Sequence, residues 1–157
     1  MIIGHAPAGY LLASALDNGF FRDPVMFWAI IVGSLAPDLD VLWSFAVDGA
    51  ASYSHNYLTH DPTLWAVMLF FGVVLTARVL IGVGLGALLH MALDTITGPV
   101  SWGWGSFSFA GPLVAVPGAT DNWYIASVLH WTIFVELALW SVTGVVFVAR
   151  RKLEPME

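Results

Sequence analysis

The chain has 157 residues, of which 59% are hydrophobic and only 10% are charged, and its formal net charge is −6. A soluble domain of this size carries about 25% charged residues, so the composition predicts a single domain, residues 1–157, whose surface partly faces lipid. The negative charge argues against a nucleic-acid partner, and the absence of cysteine excludes a disulfide framework and a thiolate metal site.

Long apolar runs separated by helix breakers predict an all-α fold. Asn18-Gly19, Pro37 and Gly98-Pro99 end three of these runs, and Arg78 marks a further turn. The last run is long enough to cross a bilayer, so we expect an integral membrane bundle of about four to five helices. The predicted helices cover residues 5–18, 25–36, 63–76, 79–95 and 123–149.

The few basic residues predict the orientation of this bundle in the inner membrane. Arg22, Arg78 and the cluster Arg150-Arg151-Lys152 hold all five positive side chains. Because such residues stay on the cytoplasmic side, the five-helix arrangement places all of them, and the C-terminus, in the cytoplasm. The opposite helix ends then face outward, and they carry His5, Asp38, Asp40, His55, His60, His90 and Asp94.

His90 and Asp94 form the strongest candidate pair for a chemical site. They lie four residues apart in an apolar helix, so their side chains share one face. Such a pair can bind one metal ion, or it can form a hydrogen bond that holds two helices together. A carboxylate at membrane depth needs a partner in either case.

Other histidines and carboxylates reach the same predicted membrane face. Asp38 and Asp40 follow a helix end, where both side chains can reach one ion or two neighbouring ions. His55 and His60 flank a short turn, and His5 begins the first helix. Metal sites in helical bundles are built from donors on several helices, so we predict that these five residues join the first pair as metal ligands.

Two residues of the last predicted helix are candidates for catalysis. Glu136 lies inside an apolar span, so it must face the interior of the bundle and find a partner there. His130 is about 240° away around an ideal helix, so the two residues are not expected to bind one ion unless the helix bends. We predict that Glu136 and His130, together with Asp40, act as acid, base or further ligand groups.

The donor types favour a divalent cation, with zinc first, manganese or iron as alternatives, and one to three ions in the site. A bound cation lowers the pKa of water to about 7 and so provides a hydroxide nucleophile. Two or more ions suit phosphoester hydrolysis, because the entering and leaving oxygens each gain a counter-charge. The sequence has neither a Gly-x-Ser-x-Gly motif nor a Gly-rich phosphate loop, so serine hydrolases and nucleotide kinases are not supported.

These motifs together resemble those of the membrane-bound metal-dependent hydrolases, a family also described as LexA-binding, inner-membrane-associated hydrolases. Residues 35–40 are similar to the family's Pro-Asp-x-Asp motif, and residues 55–60 to its His-Arg-x-x-Thr-His motif. Residues 90–97 are similar to its His-x-x-x-Asp segment. The resemblance therefore covers most of the chain through short motifs.

The two ends of the chain extend the resemblance. His5 is similar to the family's N-terminal histidine, and His130 and Glu136 keep the spacing of a C-terminal His and Glu. Asn56 departs from the pattern, because the family usually has arginine there, and Asp61 stands where serine often follows the second histidine.

The resemblance implies hydrolysis of a phosphoester on a membrane lipid or lipid-linked substrate, since the ligand pattern is also similar to that of zinc-dependent phospholipase C. One alternative is a metal-binding or regulatory membrane protein without catalysis. Such a protein could act on a regulatory protein partner. Another is an ion transporter that uses the same residues as a path. Residues 68–86 offer only Thr76 and Arg78 as polar side chains, which disfavours transport.

The predicted orientation is testable with reporters of membrane side. A reporter fused after Lys152 should read cytoplasmic, and one inserted near Gly49 should read external, because positive side chains stay inside. Paired alkaline phosphatase and green fluorescent protein fusions measure both positions. The reverse reading at both positions would contradict the outer location of the histidines and aspartates.

Overall fold

A computed structural model of the chain describes residues 3–18, 22–39, 58–102, 111–114, 125 and 128–153. These residues form five α-helices and two short 3-10 turns and contain no β-strand, which confirms the predicted all-α class. The helices are α1 (His5–Leu16), α2 (Pro24–Gly33), α3 (Pro62–Val74), α4 (Arg78–Thr97) and α5 (Ile133–Leu153). The 3-10 turns are Ala36–Asp38 and Leu58–His60.

Asp-Pro pairs begin α2 and α3. The Asp23 carboxylate accepts hydrogen bonds from the N–H groups of Val25 (2.7 Å) and Met26 (3.4 Å). Asp61 accepts one from the N–H of Thr63 at 2.8 Å. In both helices proline occupies the first turn, where its missing N–H is not needed. Each helix therefore begins one residue before its predicted start.

The predicted continuation of the second helix to Ala36 is wrong. α2 ends at Gly33, and Ala36–Asp38 forms a separate 3-10 turn in which Pro37 is buried. Proline lacks an N–H, and its ring clashes with the carbonyl four residues earlier, so an α-helix does not continue through it. The change of direction brings Asp38 beside α4, with its Oδ1 3.6 Å from His90 Nε2.

The predicted single helix over residues 123–149 is also wrong, because it is interrupted at His130. Residues 130–132 form a turn, and the N–H of Ile133 bonds to the carbonyl of His130 at 3.0 Å. His130 Nδ1 lies 3.0 Å from the Thr132 hydroxyl, and such local side-chain bonds compete with helical backbone bonds. His130 therefore precedes α5, and the predicted angle between it and Glu136 does not apply.

α4 is the central helix, and its backbone touches the backbone of α2. A Cβ added at Gly86 would lie 2.1 Å from the carbonyl oxygen of Ile30. A Cβ added at Gly33 would lie 2.3 Å from the carbonyl oxygen of Val83. Any side chain at either position would force the helices apart, so glycine is what permits this close approach.

α1 packs against both α2 and α5. A Cβ added at Gly9 would lie 2.2 Å from Ser34 Oγ, so α1 and the end of α2 are also in close contact. The Trp140 indole of α5 donates a hydrogen bond to the carbonyl of Ile3 at 3.0 Å. The other face of α5 is apolar and exposed: Phe134, Leu137, Val142, Val145 and Val148.

The two ends of the bundle carry different charges. At one end Arg78 forms an ion pair with Asp23, and Arg150 forms one with Asp17. The Arg78 guanidinium, helped by the N–H of Val25, lowers the pKa of Asp23 below its usual value. Asp94, near the other end of α4, lies about 24 Å from Arg78 along the helix, at a rise of about 1.5 Å per residue.

Among the described residues, two helices are long and apolar enough to cross a membrane. They are Arg78–Thr97 and Ile133–Lys152, each with a mean hydropathy of 1.8. Half of the first is buried by the rest of the chain, whereas only 6% of the second is. α2 and α3 are apolar but have only 10 and 13 residues, fewer than the roughly 20 that a bilayer core requires.

The contact between α2 and α4 makes Gly86 sensitive to substitution. Gly86→Ala should destabilise the folded protein by about 1–3 kcal/mol, because the added methyl group meets backbone that cannot rotate away. Gly144→Ala is the matched control: no atom lies within 4 Å of its added Cβ, so it should be neutral or stabilising. Thermal unfolding in detergent measures both variants. A Gly86→Ala protein that melts at or above the wild-type temperature would contradict the close approach.

Candidate metal centre

Donor side chains from four parts of the chain meet at one end of the bundle. His90 and Asp94 lie one turn apart on α4, as their spacing predicted. His5 is the first residue of α1, Asp38 lies in the turn after α2, and His60 ends the turn before α3. The three histidines and Asp94 are buried, whereas the side chain of Asp38 is 40% exposed.

The donor atoms of these residues converge on each other. His5 Nε2 lies 3.1 Å from Asp94 Oδ1, and His90 Nε2 lies 3.1 Å from Asp94 Oδ2. His60 Nε2 lies 3.8 Å from the same Oδ2. The rings of His5 and His90 stack with their centroids 3.7 Å apart. Two groups of three donors result, each with its ligand atoms within 4.8 Å of one another: His5, His90 and Asp94, and Asp38, His60 and His90.

A backbone hydrogen bond fixes the orientation of the His90 ring. His90 Nδ1 lies 2.9 Å from the carbonyl oxygen of Ser34. A carbonyl oxygen only accepts, so Nδ1 carries the hydrogen and the neutral ring presents a lone pair at Nε2. Within the described part of the chain Nε2 forms no hydrogen bond, although Asp94 Oδ2 is 3.1 Å away. A lone pair this close to a carboxylate is repelled unless a proton or a cation lies between them.

The charge of the centre is not balanced by lysine or arginine. All five basic residues of the chain are described, and they belong to the opposite end of the bundle: Arg22, Arg78, Arg150, Arg151 and Lys152. Among side chains, only histidines are therefore left to balance Asp38 and Asp94. A buried carboxylate is costly unless nearby charges or hydrogen bonds compensate it. His5 and His90 lie 3.1 Å from Asp94, and a divalent cation held by the same residues would add to that compensation.

The donor set fits a divalent cation. Imidazole and carboxylate groups are ligands for zinc, manganese and iron, and a ligating histidine usually donates its other N–H to a carbonyl or carboxylate, as His90 does to Ser34. Because Nδ1 is engaged, His90 offers only Nε2, which belongs to both groups of three donors. The described residues therefore form two overlapping donor groups that share His90, and the number of ions stays a prediction.

Glu136 and His130 lie outside these groups of donors. Glu136 is 3% exposed, and its Oε2 accepts a hydrogen bond from the N–H of Ile3 at 2.5 Å. Ile3 is two residues before His5, so this bond holds the segment that leads into the centre. His130 is half-buried and lies beside the hydroxyl of Thr132.

The predicted ligands Asp40 and His55 lie outside the described residues, as does Asn56. Their assignment to the site, and that of Asp40 as a catalytic group, stays a prediction from sequence. Asp40 follows the described ligand Asp38 by two residues, and His55 precedes His60 by five.

Two supporting contacts are not visible in the sequence pattern. The Ser34 carbonyl that orients His90 is a backbone atom, so no residue type marks it. The Trp65 indole donates a hydrogen bond to the carbonyl of Thr59 at 2.7 Å and so holds the turn that carries His60. From the sequence, Trp65 near the start of α3 could be predicted only as an apolar core residue.

Comparison of the chain with models of protein families, with curated proteins and with solved structures found no match. The family resemblance of the motifs accordingly stays a prediction. The chemistry of the site is inferred from its donor atoms, its burial and its charge.

The convergence of donors predicts a bound metal. Purified protein should contain zinc, manganese or iron at near-stoichiometric amounts, and His90→Ala combined with Asp94→Ala should abolish the metal, because the combination removes donors from both groups. Inductively coupled plasma mass spectrometry measures the content.

His130→Ala is the matched control for this experiment, since it removes a histidine outside the two groups and should leave the metal content unchanged. Thermal unfolding of each variant separates loss of metal from loss of fold. If the wild-type protein is folded and active but contains no metal, the prediction of a metal centre is wrong.

Proposed function

We propose that the chain is a membrane-embedded, metal-dependent hydrolase that cleaves a phosphoester of a lipid or lipid-linked substrate. The observation that carries the proposal is the convergence of three histidines and two aspartates around His90 Nε2 at one end of an apolar helical bundle. The motif resemblance to membrane-bound metal-dependent hydrolases supports the same reaction.

The side chains of this centre have the donor atoms that a divalent cation binds, and zinc is the first candidate. His5, His60, His90, Asp38 and Asp94 would hold the cation. When bound, a divalent cation supplies a Lewis acid that acidifies water and polarises a phosphoryl oxygen. The Ser34 carbonyl keeps the lone pair of His90 Nε2 directed at the centre, and the burial of the histidines excludes bulk water from all but one side.

Asp38 supports a catalytic site over a purely structural one. Structural zinc sites are closed by protein ligands, whereas catalytic sites keep an open position for water or substrate. The His90 side chain has no exposed surface, whereas that of Asp38 is 40% exposed. We assign the approach of substrate to the Asp38 side of the centre.

The surroundings of the bundle support a lipid substrate. α4 and α5 have the length and composition of membrane-spanning helices, and the outer face of α5 exposes large apolar side chains such as Phe134 and Val145. The basic residues gather at the end away from the centre, and the positive-inside rule would make that end cytoplasmic. The centre would then open toward the outer face of the inner membrane.

Glu136 would act as a positioning residue in this scheme. Its carboxylate bonds to the N–H of Ile3 and so fixes the chain before His5. His130 and Asp40 remain the candidates for proton transfer predicted from the sequence.

Metal binding without catalysis is the second candidate. All five basic side chains belong to the other end of the bundle, so no arginine stands beside the centre to bind a substrate phosphate. The sequence departure at Asn56 agrees with this lack of an arginine. A regulatory metal-binding protein needs no such residue.

Substitution of Asp38, and of the sequence-predicted Asp40, distinguishes the two candidates. Asp38→Asn, and separately Asp40→Asn, should lower phosphoester turnover by about a hundredfold, equivalent to about 2.7 kcal/mol of transition-state stabilisation. Metal content should fall much less, because His5, His90 and Asp94 stay in place. The measurement is hydrolysis of a panel of phosphomonoesters, phosphodiesters and phospholipids by metal-loaded protein, with metal content determined on the same samples.

Asp48→Asn is the control for this pair, since it removes a carboxylate that belongs to none of the motifs and should leave turnover unchanged. If metal-loaded wild-type protein hydrolyses none of the panel, the binding-protein candidate replaces the hydrolase. If both aspartate variants hydrolyse the phosphoesters as fast as the wild-type protein, the proposed site would also be contradicted.

A further inference from the structure

A cavity lined by aromatic and charged side chains lies at the end of the bundle opposite to the candidate metal centre. Its volume is about 590 Å³, within the range of roughly 300–1,000 Å³ that is usual for small-molecule sites. Its polar lining consists of Arg22, Arg150, Arg151, Asp17 and Asp23, with Tyr10. None of the predicted metal or catalytic residues lines it.

The arginines of this cavity divide into two kinds. Arg150 is bonded to Asp17, and Asp23 is bonded to Arg78, so the charges of both carboxylates are already compensated. Arg22 and Arg151 form no ion pair with any described carboxylate. Among the described residues that line this cavity, two arginines therefore lack a carboxylate partner.

The packing of Arg151 leaves its donors available. Its guanidinium carbon lies 4.7 Å from the centroid of the Phe147 ring, so the cation stacks on an aromatic face. Stacking uses the flat face of the guanidinium, whereas its N–H groups point outward in the plane. Those groups match the bidentate geometry of phosphate oxygens.

Apolar surface continues from the cavity to the outside of the bundle. Trp28 and Phe147 line the cavity, and they are 63% and 42% exposed. Val25 and Val148 nearby are also exposed. A ligand with a phosphate head and an apolar tail would meet charge inside the cavity and hydrophobic side chains along its rim.

We propose that this cavity binds the phosphate group of an anionic ligand through Arg22 and Arg151, with a phospholipid headgroup as its first source. Basic cavities between helices near the cytoplasmic face of a membrane are suited to anionic headgroups. The site acts independently of the metal centre, so it does not depend on whether that centre hydrolyses a substrate. A free phosphate ion offers the same oxygens without the tail, and the experiment separates the two.

The test measures binding of short-chain phosphatidylglycerol to purified full-length protein in detergent, by isothermal titration calorimetry. Arg22→Gln and Arg151→Gln should each weaken binding about fivefold, the usual effect of one basic residue on an anionic lipid. Both side chains are exposed, so the variants should fold. Lys152→Gln is the matched control: it removes a neighbouring positive charge that does not line the cavity, and it should change affinity by less than about twofold.

Two further ligands identify the source of the phosphate. Phosphatidylcholine has the tail but no net charge, and inorganic phosphate has the charge but no tail. Weak binding of both ligands, with tight phosphatidylglycerol binding that depends on the arginines, supports the lipid headgroup. Binding of inorganic phosphate with the same arginine dependence supports the phosphate site and assigns it to a soluble anion.

Three outcomes would overturn the proposal. One is the absence of binding by both phosphatidylglycerol and inorganic phosphate. The second is equal binding of phosphatidylcholine and phosphatidylglycerol that neither arginine variant weakens, which would show that only the apolar tail is bound. The third is an equal loss of affinity in Lys152→Gln and Arg151→Gln. That result would mean that the lipid responds to the overall positive charge of this helix end and not to the cavity.

Discussion

The contact between the backbones of α2 and α4 at Gly33 and Gly86 governs the geometry of the metal centre. Because neither position has a Cβ, the end of α2 comes close enough for the Ser34 carbonyl to reach His90 Nδ1 at 2.9 Å. That hydrogen bond fixes which nitrogen of His90 carries its hydrogen and where its lone pair points. A larger side chain at either glycine would separate the helices and release the ring.

The same packing separates the basic side chains from the acidic candidate ligands. α4 carries Arg78 at its first turn and Asp94 near its last, about 24 Å apart by the helical rise. At that end Arg78 forms an ion pair with Asp23, and Arg150 forms one with Asp17. Asp94 is buried among histidines, and His5 and His90 each place a ring nitrogen 3.1 Å from one of its carboxylate oxygens. The described arginines thus lie at one end of the bundle, and the histidines and aspartates of the candidate metal centre lie at the other.

The two sites differ in how they meet their surroundings. The described donors of the candidate metal centre are buried, except Asp38, whose side chain is 40% exposed. The arginine-lined cavity has exposed aromatic side chains, Trp28 and Phe147, at its rim. If the bundle lies in a membrane as proposed, one site faces each surface, and the apolar outer side of α5 contacts lipid between them.

The sequence by itself determined the all-α class and the pairing of His90 with Asp94, because hydrophobic run length and a four-residue spacing are local properties. It also placed His5, Asp38 and His60 in one candidate set, since each lies beside a helix end. It placed a break at Pro37 but ended the second helix at Ala36 instead of Gly33. It missed the interruption at His130, where a local bond to Thr132 competes with the helix. Only the tertiary structure decided that these donors meet around a single nitrogen, that a backbone carbonyl orients it, and that the arginines form a separate cavity. Those facts depend on contacts between residues far apart in the chain, which no local pattern records.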